Sequence, residues 1–399
     1  MKKWVMAGLL CVGLMVGSVW ANDDEVEPDV EEVSEEEARD LSFDQGKVFQ
    51  LLGEAARHFD EITDLPESRW MGRDQEGANR DIDSLIDDAI KVMDVPGIAS
   101  MRAQYHDLEA KIREEQEQMA DLREQRMFAP DTDVSTLSRF TPTETLKQFT
   151  ASTRGDYDRL IEARARNIEA YQEELEGLKE SMSEALETVG LSMPPDQLEL
   201  WMSSAIGDDV VSMGVVFRSI RTITLRLEEI TDESGEDLGV ASRYYGMMVI
   251  LHRLVVTMQD RFVEKVDGEI VPNLREYREE ADEIIAESRE LIRDGANRAG
   301  LEANIAANEL TKRTIDLYLR IVVSQRQKVA EALEISRHEE QVAINTYRTV
   351  RLSSNVVDYI REGLATFEAL SDLQVPESAE FQNEEIRDEF RLLTKRLGE

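Results

Sequence analysis

An all-α protein, an elongated helical bundle with long antiparallel coiled-coil hairpins, is the fold class that three features of this 399-residue sequence predict. Apolar residues make up 41 %, charged residues 33 % and aromatics only 6 %, the balance of long solvated helices. Pro66, Pro96, Pro130, Pro142, Pro194-Pro195 and Pro376 fall between periodic segments, where helices must stop for want of an N–H donor. Strand signals are weak: Thr222-Ile223-Thr224 sits inside a helical period, and no Asn-Gly or Asp-Gly turn lies between alternating apolar residues.

Taken in order, residues 1–21 read as a secretory signal. Lys2 and Lys3 precede an apolar stretch from Trp4 to Trp20, and Val19 and Ala21 supply the small side chains that a signal peptidase requires. Cleavage is expected after Ala21, which places the protein in the periplasm or outside the cell; an uncleaved leader would act as an inner-membrane anchor. Cys11 is the only cysteine, so the processed chain has no disulfide or thiolate chemistry. Residues 22–40 carry eleven carboxylates and little that is apolar, the composition of a disordered acidic tether.

The remaining chain divides into N-terminal helices over 41–130, a long coiled-coil helix with a short connecting helix over 131–207, a bundle over 208–375 and a short C-terminal helix over 376–399. Met101, Tyr105, Leu108, Ile112, Met119 and Leu122 form a seam whose missing member is Glu115. Thr141-Pro142-Thr143-Glu144 looks like a capping box that opens the next helix, and Gly190 looks like its close. A helix from about 143 to 189 would run roughly 70 Å, folding back on its predecessor through a turn between Pro130 and Pro142. Along it Ile168, Tyr171, Leu175, Leu178, Met182, Ala185 and Val189 alternate in threes and fours. This is the cleanest heptad run in the chain, and all but Ala185 are the candidate seam for self-association or a partner.

From Asp208 to Thr231 and from Tyr244 to Val263 the sequence is apolar on more than one face, as in a buried helical hairpin turned at Asp232-Glu233-Ser234-Gly235. Charges at His252-Arg253 and Gln259-Asp260-Arg261 keep the second stretch from reading as a membrane span. From about Asn273 to Leu373 a long helical pattern follows, with Gly295 and Gly300 placed to bend it. Asn297, Asn304 and Asn308 share one face there and would form a polar layer that fixes register in a seam.

Chemistry is sparsely marked. Lys and Arg number 46 against 84 Asp and Glu, a net charge of −38 that repels phosphate backbones and excludes nucleic acid as a partner. His58, His106, His252 and His338 are scattered without metal-ligand spacing, and Gly-Glu-Asp-Leu-Gly at 235–239 lacks the lysine and strand of a phosphate loop. The chain therefore reads as non-enzymatic, with no cofactor and no metal. Its most specific oddity is a basic set inside the apolar hairpin, Arg218, Arg221, Arg243, His252 and Arg253 with Arg226 and Arg261. These residues would clamp an anionic ligand, or, on the plainer reading, pair with nearby Asp and Glu side chains.

The leading expectation is a cell-envelope scaffold that associates with itself or with a membrane-associated complex, with no integral span once the leader is removed. A helical sensor for an anionic ligand comes second. A secreted pore-former comes third, and the hairpin arginines argue against its insertion.

Overall fold

The computed structural model describes residues 42–62, 65–67, 73–133, 151–234, 238–295, 298–350 and 383–397, without the side chains of 232–242, 350 and 384. Among these the chain is helical, with no strand, so the predicted all-α class is the observed one. The leader, the acidic segment, Thr141–Glu144, Asn297 and Pro376 lie outside the described residues.

The first two helices are α1, Gln45–Ile62, and α2, Gln75–Met93. They pack on each other with an apolar stripe of Val48, Leu52, Ile82 and Ile86 facing inward. Asp74 caps α2 by accepting from the Gly77 N–H at 2.8 Å.

Helix α3, Pro96–Phe128, opens with proline in its first turn, and α4 spans Arg154–Thr188. The two are antiparallel. Arg126 donates to Asp158 at 2.5 Å near one end, while Arg164 reaches Glu115 at 3.0 Å further along, so one residue number falls as the other rises. The Pro130 carbonyl accepts from the Arg154 N–H at 3.1 Å, which brings the two ends of the connection together. Glu115 fills the gap foreseen in the α3 seam: it is buried and accepts from both Arg164 and Asn167.

The long helix starts later than residue 143. Residues 151–153 are non-helical, and the operative capping box pairs the Thr153 hydroxyl with the Asp156 N–H and the Asp156 carboxylate with the Thr153 N–H. The helix has 35 residues, about 52 Å long.

Gly190 ends α4 as expected, with φ of +85°. The Leu191 N–H bonds back to the Leu186 carbonyl and the Gly190 N–H to that of Glu187, which satisfies two carbonyls left over at the helix end. Gly190→Ala keeps those bonds only by placing a Cβ in the left-handed region. It should cost about 1 kcal/mol in a denaturant titration with an unchanged m-value.

A short helix α5, Pro195–Met202, leads into α6, Gly207–Ser234, and α7, Leu238–Lys265. Val211, Val215, Val216, Ile220, Ile223 and Leu227 of α6 are fully buried, as are Val249, Ile250, Leu251 and Leu254 of α7. The predicted apolar hairpin is thus the buried centre. The Ser219 hydroxyl donates at 2.8 Å to the Met93 carbonyl and satisfies a group exposed by the end of α2.

Pro272 does not interrupt the run of helix it sits in. A π-helical turn at Val266–Ile270 shifts the register, with the Val271 N–H bonded to the Val266 carbonyl, and the helix continues as α8, Val271–Arg293.

The expected bend after α8 is a full reversal. Gly295 has φ of +91° and α9, Arg298–Val350, returns along α8 and α7. Ion pairs Arg289–Glu309, Arg278–Asp316, Arg326–Asp267 and Arg337–Asp260 step along this antiparallel pair. The C-terminal helix α10, Glu384–Leu397, packs on α9 and α8 through Phe390, Leu393 and Leu397. One connected core runs from Val48 to Leu397 and joins α1 to α10.

Candidate functional site

The structure scatters the basic set that the sequence singled out. Arg253 of α7 donates to Asn79 at 3.0 Å and to Asp83 at 2.8 Å, and Arg261, two turns on, donates to Asp87 at 2.5 Å. Both therefore fasten α7 to the acidic face of α2. Arg226 pairs within its own helix with Glu229. Arg218 lies against the end of α4 at Gly190, and Arg221 is half-buried on the same helix. His252 is buried in the core, where desolvation holds it down at about 4 and keeps its imidazole neutral.

Arg243 of this set lines a cleft, a space of about 770 Å³ beside α1 that Arg57, Glu54 and Asp60 also border. Asp60 is engaged there by the Tyr347 hydroxyl at 2.9 Å.

The heptad run is met within the chain. Leu175, Met182 and Ala185 are buried, while Ile168, Tyr171, Leu178 and Val189 are half-buried, and α3 packs along the helix that carries them. Asn304 is exposed and Asn308 donates to the Asn304 carbonyl at 2.9 Å, so these two do not form an internal polar layer.

A different constellation gathers where α3, α4, α5 and α10 meet. Glu199 of α5 is buried and accepts from Lys179 of α4 at 3.0 Å, from Arg387 at 3.0 Å and from Arg391 at 3.1 Å. Arg391 also stands 3.2 Å from Glu109 of α3. Burial pushes the Glu199 carboxyl up, but the Lys179 ammonium and the two guanidinium groups outweigh that and hold it below the usual carboxylate range. The buried Tyr105 hydroxyl beside Glu109 is pushed up by desolvation.

The network continues along α3. His106 bridges Asp208, at 3.2 Å, and Glu109, at 3.7 Å; its hydrogen bond to Asp208 and the nearby Glu109 carboxylate push it up to about 9, so it is cationic at neutral pH. Arg102 donates to the Asp208 carbonyl at 2.9 Å and pairs with Asp94.

Behind the ion cluster a chain of hydroxyls ties α10 to α9 and α5. The Ala205 N–H donates to the Tyr318 oxygen, the Tyr318 O–H donates to Thr394 Oγ1 at 2.9 Å, and Thr394 donates to the Ser203 carbonyl at 2.9 Å. With the Phe390 ring tilted against that of Tyr318, α10 is held by an aromatic contact and by this relay. Tyr277 and Arg396 close the far end. The tyrosine hydroxyl donates to the Arg396 carbonyl at 2.9 Å and the guanidinium lies 4.0 Å from its ring centre.

Sequence reasoning passes over this cluster, although two signals mark it. Lys179 interrupts the buried stripe Leu175, Met182, Leu186, and Glu199 stands inside the apolar run Leu198 to Met202. Each is a charge where helical periodicity calls for an apolar side chain, so each must have a partner. Which partner is not readable, because Arg387 and Arg391 lie nearly two hundred residues away in sequence from Glu199.

Beside the cluster, between α10 and the α3–α4 pair, lies an open cleft of about 890 Å³. Among the described residues no group of three His, Cys, Asp or Glu side chains stands close enough to hold a metal ion, and no helix is long and apolar enough to cross a membrane. Comparison with protein-family models, with curated proteins and with solved structures finds no match to this chain. Fold and site together define an acidic helical bundle in which buried ion pairs and hydroxyls clamp a C-terminal helix beside an open cleft.

Proposed function

We propose that this protein is a non-enzymatic scaffold of the cell envelope, delivered by a cleaved leader to the periplasm, where it docks on a membrane-associated protein complex. The observation that carries the reading is the outer end of the α3–α4 pair. Met127 and Phe128 are 71 % and 82 % exposed there, at the end of a charged helix, and together make an apolar contact point. The site chemistry fits the same reading. Glu199, Lys179, Arg387 and Arg391 neutralise one another, and His106 is held cationic between two carboxylates. Groups so paired fix the positions of helices and are not poised as an acid, base or nucleophile.

A photo-crosslinking amino acid at position 128, introduced in cells of the native host, tests this. The expected result is one or a few adducts with subunits of a defined membrane complex. Adducts with no such subunit, together with sedimentation of the purified protein as a monomer, would overturn it.

A further inference from the structure

The open cleft beside α10 has a composition that specifies an occupant. Its floor is apolar: Ile112 of α3, Leu175 of α4, Leu310 of α9 and Leu392 of α10, the last 53 % exposed although it lies beside the core of its own helix. Its rim is mainly acidic, with Glu117, Glu176, Glu385, Asp388 and Glu389 against Arg113 and Lys395. Glu109 and Glu199 are met by Arg391 and Arg387, Glu176 by Lys179 and Asp388 by Arg391, and the lining keeps an excess of carboxylates over basic groups.

The neighbouring wall shows which chemistry this region accepts. There α10 itself lies in a helix-binding groove, with Phe390, Leu393 and Leu397 as anchors in the core and Arg387 and Arg391 on the acidic side chains of α3 and α5. Among the described residues the open half carries the same two kinds of side chain with no helix over them: the apolar Ile112, Leu175, Leu310 and Leu392, and an excess of carboxylates for lysine or arginine of a helix lying there to meet.

We propose that this cleft binds an amphipathic helix of a partner protein, one with leucine-type residues on one face and lysine or arginine flanking them, lying beside α10. Charge complementarity carries the choice: an acidic rim around an apolar floor excludes an acidic helix by repulsion and selects a basic one, and it steers the encounter. The inference rests on the reading of the chain as a docking scaffold and names the partner element.

The test uses the full chain and a fluorescent 14-residue amphipathic Leu/Lys helix, followed by anisotropy at physiological salt, with a Leu/Glu helix as counterpart. The Leu/Lys helix should bind saturably at one site and the Leu/Glu helix should not. Leu392→Lys with Asp388→Lys should weaken binding at least tenfold. A charge-matched pair on the exposed surface of α9, Glu331→Lys with Gln341→Lys, should leave it within twofold. Should the first pair lower the melting temperature, Leu392→Ser alone makes the same comparison with an expected loss of about threefold. Equal weakening by both pairs would mean that only the overall charge attracts the peptide, and that result, or no binding, overturns the proposal. A crosslinker placed at position 392 in cells separates the two readings. Adducts from position 128 with none from 392 would leave the scaffold standing and remove the cleft as a docking site.

Discussion

Replacing Glu199 with leucine is expected to destabilise the protein by roughly 3–5 kcal/mol, a large part of the 5–15 kcal/mol that holds an ordinary domain together. The carboxylate is the common partner of Lys179, Arg387 and Arg391. Without it the Lys179 ammonium, whose side chain is 5 % exposed, keeps only the outlying carboxylate of Glu176 at 2.7 Å. The two arginines reach solvent more readily and adjust. Lys179→Met added to Glu199→Leu removes the orphaned charge and should restore at least half of the loss, which a double-mutant cycle from denaturant titrations would measure. A single variant within 1 kcal/mol of the parent would contradict the assignment of this cluster as the clamp on α10. Because its neighbours lower the Glu199 pKa, the contribution is present above the ordinary carboxylate range and is lost as pH falls through the folded-state value.

The second large effect comes from His252. Its folded value of about 4 lies below the ordinary 6.5, so in acid the unfolded chain takes up a proton that the folded chain resists. Stability should fall by about 3 kcal/mol between pH 6.5 and 4, since each tenfold difference in proton affinity between the folded and unfolded chain corresponds to roughly 1.4 kcal/mol. In His252→Leu that part of the slope should vanish, and melting curves collected across this window in both proteins would show it. An unchanged slope in the variant would mean that the imidazole titrates freely in the folded state. His106 acts in the opposite sense. Its value is raised to about 9, so its pairing with Asp208 and Glu109 is fully present below 6.5 and is lost as pH rises towards 9. The His106 side chain is 43 % exposed, so this second slope is shallow and weakens with salt. Summed, these two histidine contributions are largest near pH 6.5.

What is legible in the sequence and what is not follows from the range of the interactions. Helical class, the close of α4 at Gly190 and the gap at Glu115 in the α3 seam are local or periodic features, and each is found where the pattern puts it; the break at Gly295 is also in its expected place, but it is a reversal where the pattern puts only a bend. The start of α4 departs from its expected place because the Thr153–Asp156 pair forms the cap of this helix, and a second threonine-led cap in the sequence is not distinguished from it by pattern alone. The arginine set misleads for another reason. Charge type and helical spacing do not reveal which neighbour lies opposite, and the acidic face of α2 lies against Arg253 and Arg261. The α10 clamp is illegible as a site because it joins residues from α3, α4, α5, α9 and α10. Only the isolated charges at Lys179 and Glu199 hint at it.

The heptads present the same stripe whether they pair within one chain or between two. In the structure α3 covers the α4 stripe, so the two surfaces proposed for docking are the outer end of the pair and the α10 cleft. The most direct measurement is crosslinking of a tagged chain in its native host, isolation, and mass spectrometry, comparing the parent with Met127→Asp/Phe128→Asp. The account predicts a defined membrane complex with the parent and its loss with the variant, while both proteins melt at the same temperature. Recovery of the chain alone from both, or of the same complex from both, would contradict it.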